Sequence, residues 1–170
     1  MKSVFYILIL FFLSSCKNIS VQDAAINKIV GNKKEYYELF YSKPLEVCRL
    51  PDLSQDQFST LKNNKWILDY SKIKGKKLNC SDSVAKNISN LTFDINSYNY
   101  GRSTLCDPIY GFMLHYKNYK ILYCFSCHIV YICDKNKYIG GGIIRGEEGS
   151  MLKNIFLSLF INIQQLSCNS

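Results

Sequence analysis

Between residues 110 and 144 the chain carries strand-like apolar runs separated by short polar pairs, and this stretch limits the fold more than any other. Tyr110, Phe112, Leu114 and Tyr116 alternate with Gly111, Met113 and His115, the period-two pattern of a half-buried strand. Asn118-Tyr119 reads as a two-residue turn. Residues 120–133 are rich in Ile, Val, Tyr and Phe and long enough to pair on both sides. Asp134-Lys135-Asn136-Lys137 then turns the chain into 138–144. The pattern predicts a three-stranded antiparallel meander. From Gly149-Ser150 onward, Met151, Leu152, Ile155, Phe156, Leu159, Phe160, Ile163 and Leu166 recur at helical spacing. A stripe that wide needs a sheet face to cover, so this C-terminal helix is expected to pack across the meander. Its polar face holds Asn and Gln more than Lys or Arg, which favours core packing over a membrane surface.

The first half reads differently. Ala25, Ile29, Tyr36, Leu39 and Phe40 recur at threes and fours, so helix is expected over 22–42 with a break at Gly31-Asn32 and an end at Pro44. Ser54-Gln55-Asp56-Gln57 is a capping box, predicting a short helix through Lys62. Trp66-Ile67-Leu68 reads as a short strand, and 72–77 around Gly75 as a loop. Ser81-Asp82-Ser83 caps a further helix with Val84, Ile88 and Leu91 on one face. The fold class is therefore α+β: N-terminal helices, then a three-stranded or larger antiparallel sheet covered by a C-terminal helix.

The first sixteen residues, MKSVFYILILFFLSSC, place one charge at Lys2 ahead of ten unbroken apolar residues and Ser14-Ser15-Cys16. Ten residues span about 15 Å as a helix, roughly half the hydrocarbon core, which fits a secretion segment and not a transmembrane anchor. The small residues ahead of Cys16 resemble the lipobox of bacterial lipoproteins. That resemblance implies lipidation of Cys16 by a thioether-linked diacylglycerol, with an amide-linked acyl chain such as palmitate on its new amino group. At about 0.8 kcal/mol per buried CH₂, three chains hold a protein durably. Lys17 stands where an aspartate is associated with retention in the inner membrane of enteric bacteria, so an outer-membrane location is expected. The chain divides into a signal peptide over 1–15, an acylated tether over 16–22 and a single domain over 23–170.

Export decides how the composition reads. The mature chain keeps 155 of the 170 residues, enough for one core, and 48% apolar with 20% charged residues describes a globular protein. Its formal charge falls from +8 to +7 with Lys2. The basic residues are scattered apart from Lys33-Lys34 and the Lys72, Lys74, Lys76, Lys77 group, as on a solvated surface. An exported protein rarely meets nucleic acid, so no nucleic-acid partner is expected. Eight cysteines are many for this length. With Cys16 acylated, Cys48, Cys80, Cys106, Cys124, Cys127, Cys133 and Cys168 are available for disulfides, and their odd number leaves at least one unpaired or intermolecular.

Cys124-Phe125-Ser126-Cys127-His128 matches the C-x-x-C-H signature of covalent c-type haem attachment, with His115 or Met113 as a second axial ligand. The motif lies between Ile121-Leu122-Tyr123 and Ile129-Val130-Tyr131-Ile132, inside a predicted strand, where such attachment motifs commonly start a helix. In a regular strand, side chains at 124 and 127 point to opposite faces, so any joint chemistry needs a break around Phe125-Ser126. Cys106, Cys124, Cys127 and His128 complete a tetrahedral zinc set on paper, though exported thiol clusters are usually oxidised. A structural disulfide from Cys106 to Cys124 or Cys127 is expected to contribute about 2–4 kcal/mol. A Cys124/His115 dyad is conceivable on parity, since both fall on one strand face. Gly140-Gly141-Gly142 reads as a bulge or a close backbone approach. No catalytic residue is assigned.

Cys106-Asp107-Pro108 and Gly111, followed by Tyr123-Cys124-Phe125-Ser126-Cys127, resemble a pattern of uncharacterised bacterial exported proteins and lipoproteins. There a cysteine-x-proline segment starts a hairpin whose return strand carries C-F-x-C. The resemblance covers residues 84–145 and implies a cysteine-bearing hairpin but no activity. That family commonly has a basic residue and a histidine soon after the proline, where this chain has Ile109-Tyr110. The expected function is a membrane-anchored envelope lipoprotein acting as a non-enzymatic interaction or structural module with an unnamed protein partner. The alternatives are a redox or c-type haem protein through Cys124, Cys127 and His128, and a zinc-binding domain.

Overall fold

The structure is a computed structural model that describes residues 21–62, 65–100, 106–135 and 137–167. The signal segment 1–15, the lipidation site Cys16, Lys17 and Cys168 lie outside these residues. Helices α1 (Val21–Val30) and α2 (Lys33–Tyr41) come first. Gly31 separates them at φ +86°, and the Asn32 side chain caps α2 by accepting from the Glu35 N–H at 2.9 Å. Because α1 begins at Val21, the last two residues of the expected tether are helical. Strand β1 (Glu46–Ser54), the short helix α3 (Gln55–Phe58), the hairpin β2 (Ser59–Lys62) and β3 (Lys65–Leu68), strand β4 (Lys76–Leu78) and helix α4 (Asp82–Phe93) complete the first half. The second half holds β5 (Ile109–His115), β6 (Tyr119–Cys124), β7 (Ile129–Asp134), β8 (Lys137–Ile143) and helix α5 (Gly146–Ser167).

The fold is α+β, with a six-stranded antiparallel sheet in the order β4-β1-β5-β6-β7-β8. The meander has four strands, not three, because 120–133 is two strands joined by a turn. Two strands from the first half enlarge it. β1 is not among the expected elements, since no strand is read between Pro44 and the capping box at Ser54. Pro51 sits in a bulge between Arg49 and Leu53, where the ladder does not require its missing N–H. Arg49 fills that bulge by donating to the Asp52 carboxylate at 2.8 and 3.0 Å and to the Gly111 carbonyl at 2.6 Å. The expected helix through Lys62 stops at Phe58, and Ser59–Lys62 instead pairs with β3. The end of the expected loop, Lys76 and Lys77, instead forms β4 with Leu78 and pairs with β1.

Both faces of the sheet are covered. Val47, Phe112, Leu114, Ile121, Tyr123, Val130 and Ile132 face α1, α2, α4 and α5 in the larger core. Cys48, Leu50, Tyr110, Met113, Leu122, Cys124, Tyr131 and Cys133 face Phe58, Leu68 and Ile73 in a second core beneath the β2–β3 hairpin. All six residues of β6 are buried for this reason. A bulge at Gly111 switches the parity of β5: Tyr110 pairs with Cys124 while Phe112 pairs with Tyr123. Tyr110 therefore joins the second core, although simple alternation puts it with Phe112. On the helix side, α5 presses Phe156 onto Phe112 and Tyr123, at centroid distances of 4.6 and 5.8 Å. α1 meets β8 backbone to backbone at Gly140.

Lys120 is the one buried charged side chain among the described residues. It lies 4.0 Å over the Tyr70 ring, donates to the Tyr70 carbonyl at 3.1 Å and also bonds the Ile73 carbonyl. Burial lowers its pKa. Lys120→Met strips the Ile73 carbonyl of this partner and is expected to cost about 2 kcal/mol. The check is the urea midpoint of unfolding; an unchanged midpoint would mean that the amine does not fasten the 70–73 segment.

Candidate functional site at the cysteine hairpin

The site grows out of the four-residue turn Phe125-Ser126-Cys127-His128 that joins β6 to β7. Cys124 closes β6 opposite Ile129 and is wholly buried in the second core. Phe125 leans the other way, onto Phe112, Tyr123 and Phe156. The turn then returns Cys127 to the Cys124 side, where it too is buried. This is the break that joint chemistry of Cys124 and Cys127 requires. Neither Gly nor Pro marks it. His128 supplies the left-handed residue, at φ +52°, a conformation that His adopts more readily than most side chains.

Cys106 is bonded to Cys127 as a disulfide with Cα atoms 6.2 Å apart, within the span a disulfide requires. The bridge fastens the segment ahead of β5 to the tip of the β6–β7 hairpin. Cys124 remains a thiol. Between them stands Ser126, whose Oγ lies 3.2 Å from Cys124 Sγ, 3.5 Å from Cys127 Sγ and 3.8 Å from Cys106 Sγ. The sequence pattern marks Ser126 as part of a break and not as a site residue. Its only signal was a small polar residue inside an apolar run.

No family model, curated protein or solved structure matches this chain. The chemistry of the hairpin therefore rests on its own geometry.

The C-x-x-C-H residues do not converge. Cys127 is in a disulfide, Cys124 points into the second core, and the His128 ring lies against Tyr123 and Gly149 on the helix side. Haem attachment needs both thiols and the imidazole directed at one porphyrin, and this arrangement does not fit. Zinc fares similarly: the three sulfurs gather, but two are bonded to each other and His128 is turned away. Among the described residues no group of three or more His, Cys, Asp or Glu is placed to hold a metal ion. His115 shares the Cys124 face but sits at the far end of β5, paired with Lys120, with its Nδ1 3.4 Å from Glu46 Oε2. The Cys124/His115 dyad is not formed.

His128 has a defined protonation pattern. The Tyr123 hydroxyl donates to the Gly149 carbonyl at 3.0 Å, so its oxygen accepts from His128 Nδ1, also at 3.0 Å. Neutral His128 thus carries its proton on Nδ1 and leaves Nε2 as an acceptor. Burial, aided by Lys153, lowers its pKa below the ordinary 6.5. The unfolded chain therefore binds this proton more readily than the folded one. Stability declines as the pH falls below about 6.5, and this decline ends only below the depressed folded value. Urea titrations at pH 7.5 and 5.5 are expected to show the loss, and His128→Gln to reduce it; an equal loss in the variant would assign it elsewhere.

Beside the disulfide lies an open cavity of about 370 Å³ whose lining includes Gln55, Cys106, Pro108, Tyr110, Tyr131 and Tyr138. A neighbouring hollow of about 520 Å³ shares Gln55 and Pro108 with it and adds Asp56 and Asp107. Ile109 and Tyr138 are exposed, and the buried Tyr131 hydroxyl has no hydrogen-bond partner among the described residues. Together these form a groove with an apolar, aromatic floor and an acidic end. The sequence reading missed it because its walls come from α3, the 106–108 segment, β7 and β8.

Proposed function

We propose that this chain is a lipid-anchored envelope protein of a bacterium, held by acylated Cys16 in the outer membrane, whose folded part is a non-enzymatic interaction module. The observation that carries the reading is the Cys106–Cys127 bridge. A structural disulfide belongs to an oxidising compartment, in keeping with the secretion segment ahead of it. It also holds Cys106-Asp107-Pro108 as one wall of the groove, giving a protein partner a preorganised surface. Among the described residues no helix is long and apolar enough to cross a membrane.

Mass spectrometry of the mature N-terminus tests the anchor. The expected product begins at Cys16 with three acyl chains, and Cys16→Ala is expected to accumulate as unprocessed precursor without lipid label. An unmodified Cys16, or cleavage elsewhere, ends the lipoprotein reading.

A further inference from the structure

We propose that Cys106, Cys124 and Cys127 form a thiol–disulfide exchange site, in which Cys124 displaces Cys106 from Cys127 and the released Cys106 thiol reacts with a disulfide of a second molecule. This goes beyond the anchored-module reading and does not depend on the lipid. Three sulfurs surround one hydroxyl oxygen, Ser126 Oγ, at 3.2 to 3.8 Å. Of these sulfurs only Cys124 is outside the disulfide, and its complete burial shields it from outside oxidants. The disulfide next to it is its accessible partner. Only Phe125 and Ser126 separate Cys124 from Cys127, and the Sγ atoms of both lie within 3.5 Å of Ser126 Oγ.

The exchange balances within the chain. The Cys124 thiol gives its proton to Ser126 Oγ as its sulfur attacks Cys127 Sγ. The Cys106–Cys127 bond breaks and its electron pair leaves on Cys106 Sγ, which takes the proton that the Ser126 hydroxyl releases. One disulfide replaces another, and no oxidant or reductant is consumed. Cys106 lies on the wall of the groove, so its freed thiol meets whatever the groove admits. As a thiolate it attacks an incoming disulfide R–S–S–R, forming a Cys106–S–S–R mixed disulfide and releasing R–S⁻, which takes up a proton. Ser126 is a positioning residue and proton carrier in this sequence. Cys124 and Cys106 make and break the bonds.

The full chain in detergent, incubated with oxidised glutathione at pH 8 and peptide-mapped without reduction, tests the site. The expected map shows glutathione on Cys106 together with a Cys124–Cys127 disulfide. Cys124→Ser is expected to slow glutathione uptake at Cys106 by about tenfold or more, because the displacing sulfur is gone. Ser126→Ala is expected to slow it and Ser126→Thr to restore it, a rescue that a packing role alone does not give. Glutathione on Cys124, or an intact Cys106–Cys127 bond with no adduct, would overturn the proposal. Should Cys124→Ser fail to fold by circular dichroism, the map of the unsubstituted chain still decides, since a Cys124–Cys127 bond is either found or absent.

Discussion

Alanine at Gly140 is expected to destabilise the protein by about 3 kcal/mol, at the upper end of what overpacking costs. A Cβ there comes within 2.0 Å of the Ile29 carbonyl oxygen, 2.6 Å of its carbon and 2.9 Å of Val30 N. Both partners are backbone, so no side chain can rotate away. Either α1 lifts from β8 or β8 leaves β7. Against a total of about 5–15 kcal/mol, such a loss moves the urea midpoint far. Two neighbouring glycines calibrate the result. At Gly142 the Cβ meets only the Tyr98 ring, at 2.9 Å, which can shift, so Gly142→Ala is expected to cost about 1 kcal/mol. At Gly146 a Cβ meets nothing within 4 Å, so alanine there is expected to be neutral or mildly stabilising. A Gly140→Ala midpoint equal to that of Gly146→Ala would refute the close seating of α1.

The second large effect belongs to the disulfide. Cys106 and Cys127 are 21 residues apart, and closing a loop of that length removes about 3 kcal/mol of unfolded-state entropy. Cys127→Ser is expected to cost that amount in urea unfolding, and dithiothreitol to bring the unsubstituted protein down to the same level. Cys106→Ser opens the same loop but leaves Cys124 and Cys127, with two residues between them in the chain, as an alternative pair. Equal midpoints with and without reductant would show that the bridge does not staple the domain.

Where the sequence could be read correctly, a local signal and the tertiary outcome agreed. Gly31-Asn32 breaks α1 from α2 because Gly31 takes a positive φ and Asn32 is a capping residue. Ser81 caps α4 by accepting from the Val84 N–H at 3.4 Å, and the stripe of α5 covers the sheet through Leu152, Phe156 and Leu159. The misreadings arose where distant residues decide. Pro51 is compatible with a strand because it falls in the bulge, which Arg49 fills by reaching Asp52 and Gly111. Phe125-Ser126 turns without Gly or Pro because Phe125 gains an aromatic pocket on one face while Cys127 gains Cys106 on the other. The cysteines of the site were visible, as was the disulfide in two alternative forms. Ser126, the orphaned Tyr131 hydroxyl and the groove were not, because no periodicity encodes a meeting of the 106–108 segment with α3 and β8.

The order of strands has a consequence for the sequence of folding events. β5 to β8 are joined by short turns and can zip together as they are made. β1 precedes them, yet it ends up inside the sheet, with Val47 opposite both Leu78 and Leu114. On a chain that emerges N-terminus first, β1 waits with one edge open until β5 arrives. Such a strand invites pairing with another copy. Glu46, Arg49, Pro51 and Asp52 are spaced along it, and each discourages that pairing. The residues that later stitch the bulge to β5 thus also guard the open edge during synthesis. The same placement makes the docking of β1 onto the finished meander the expected late step of folding.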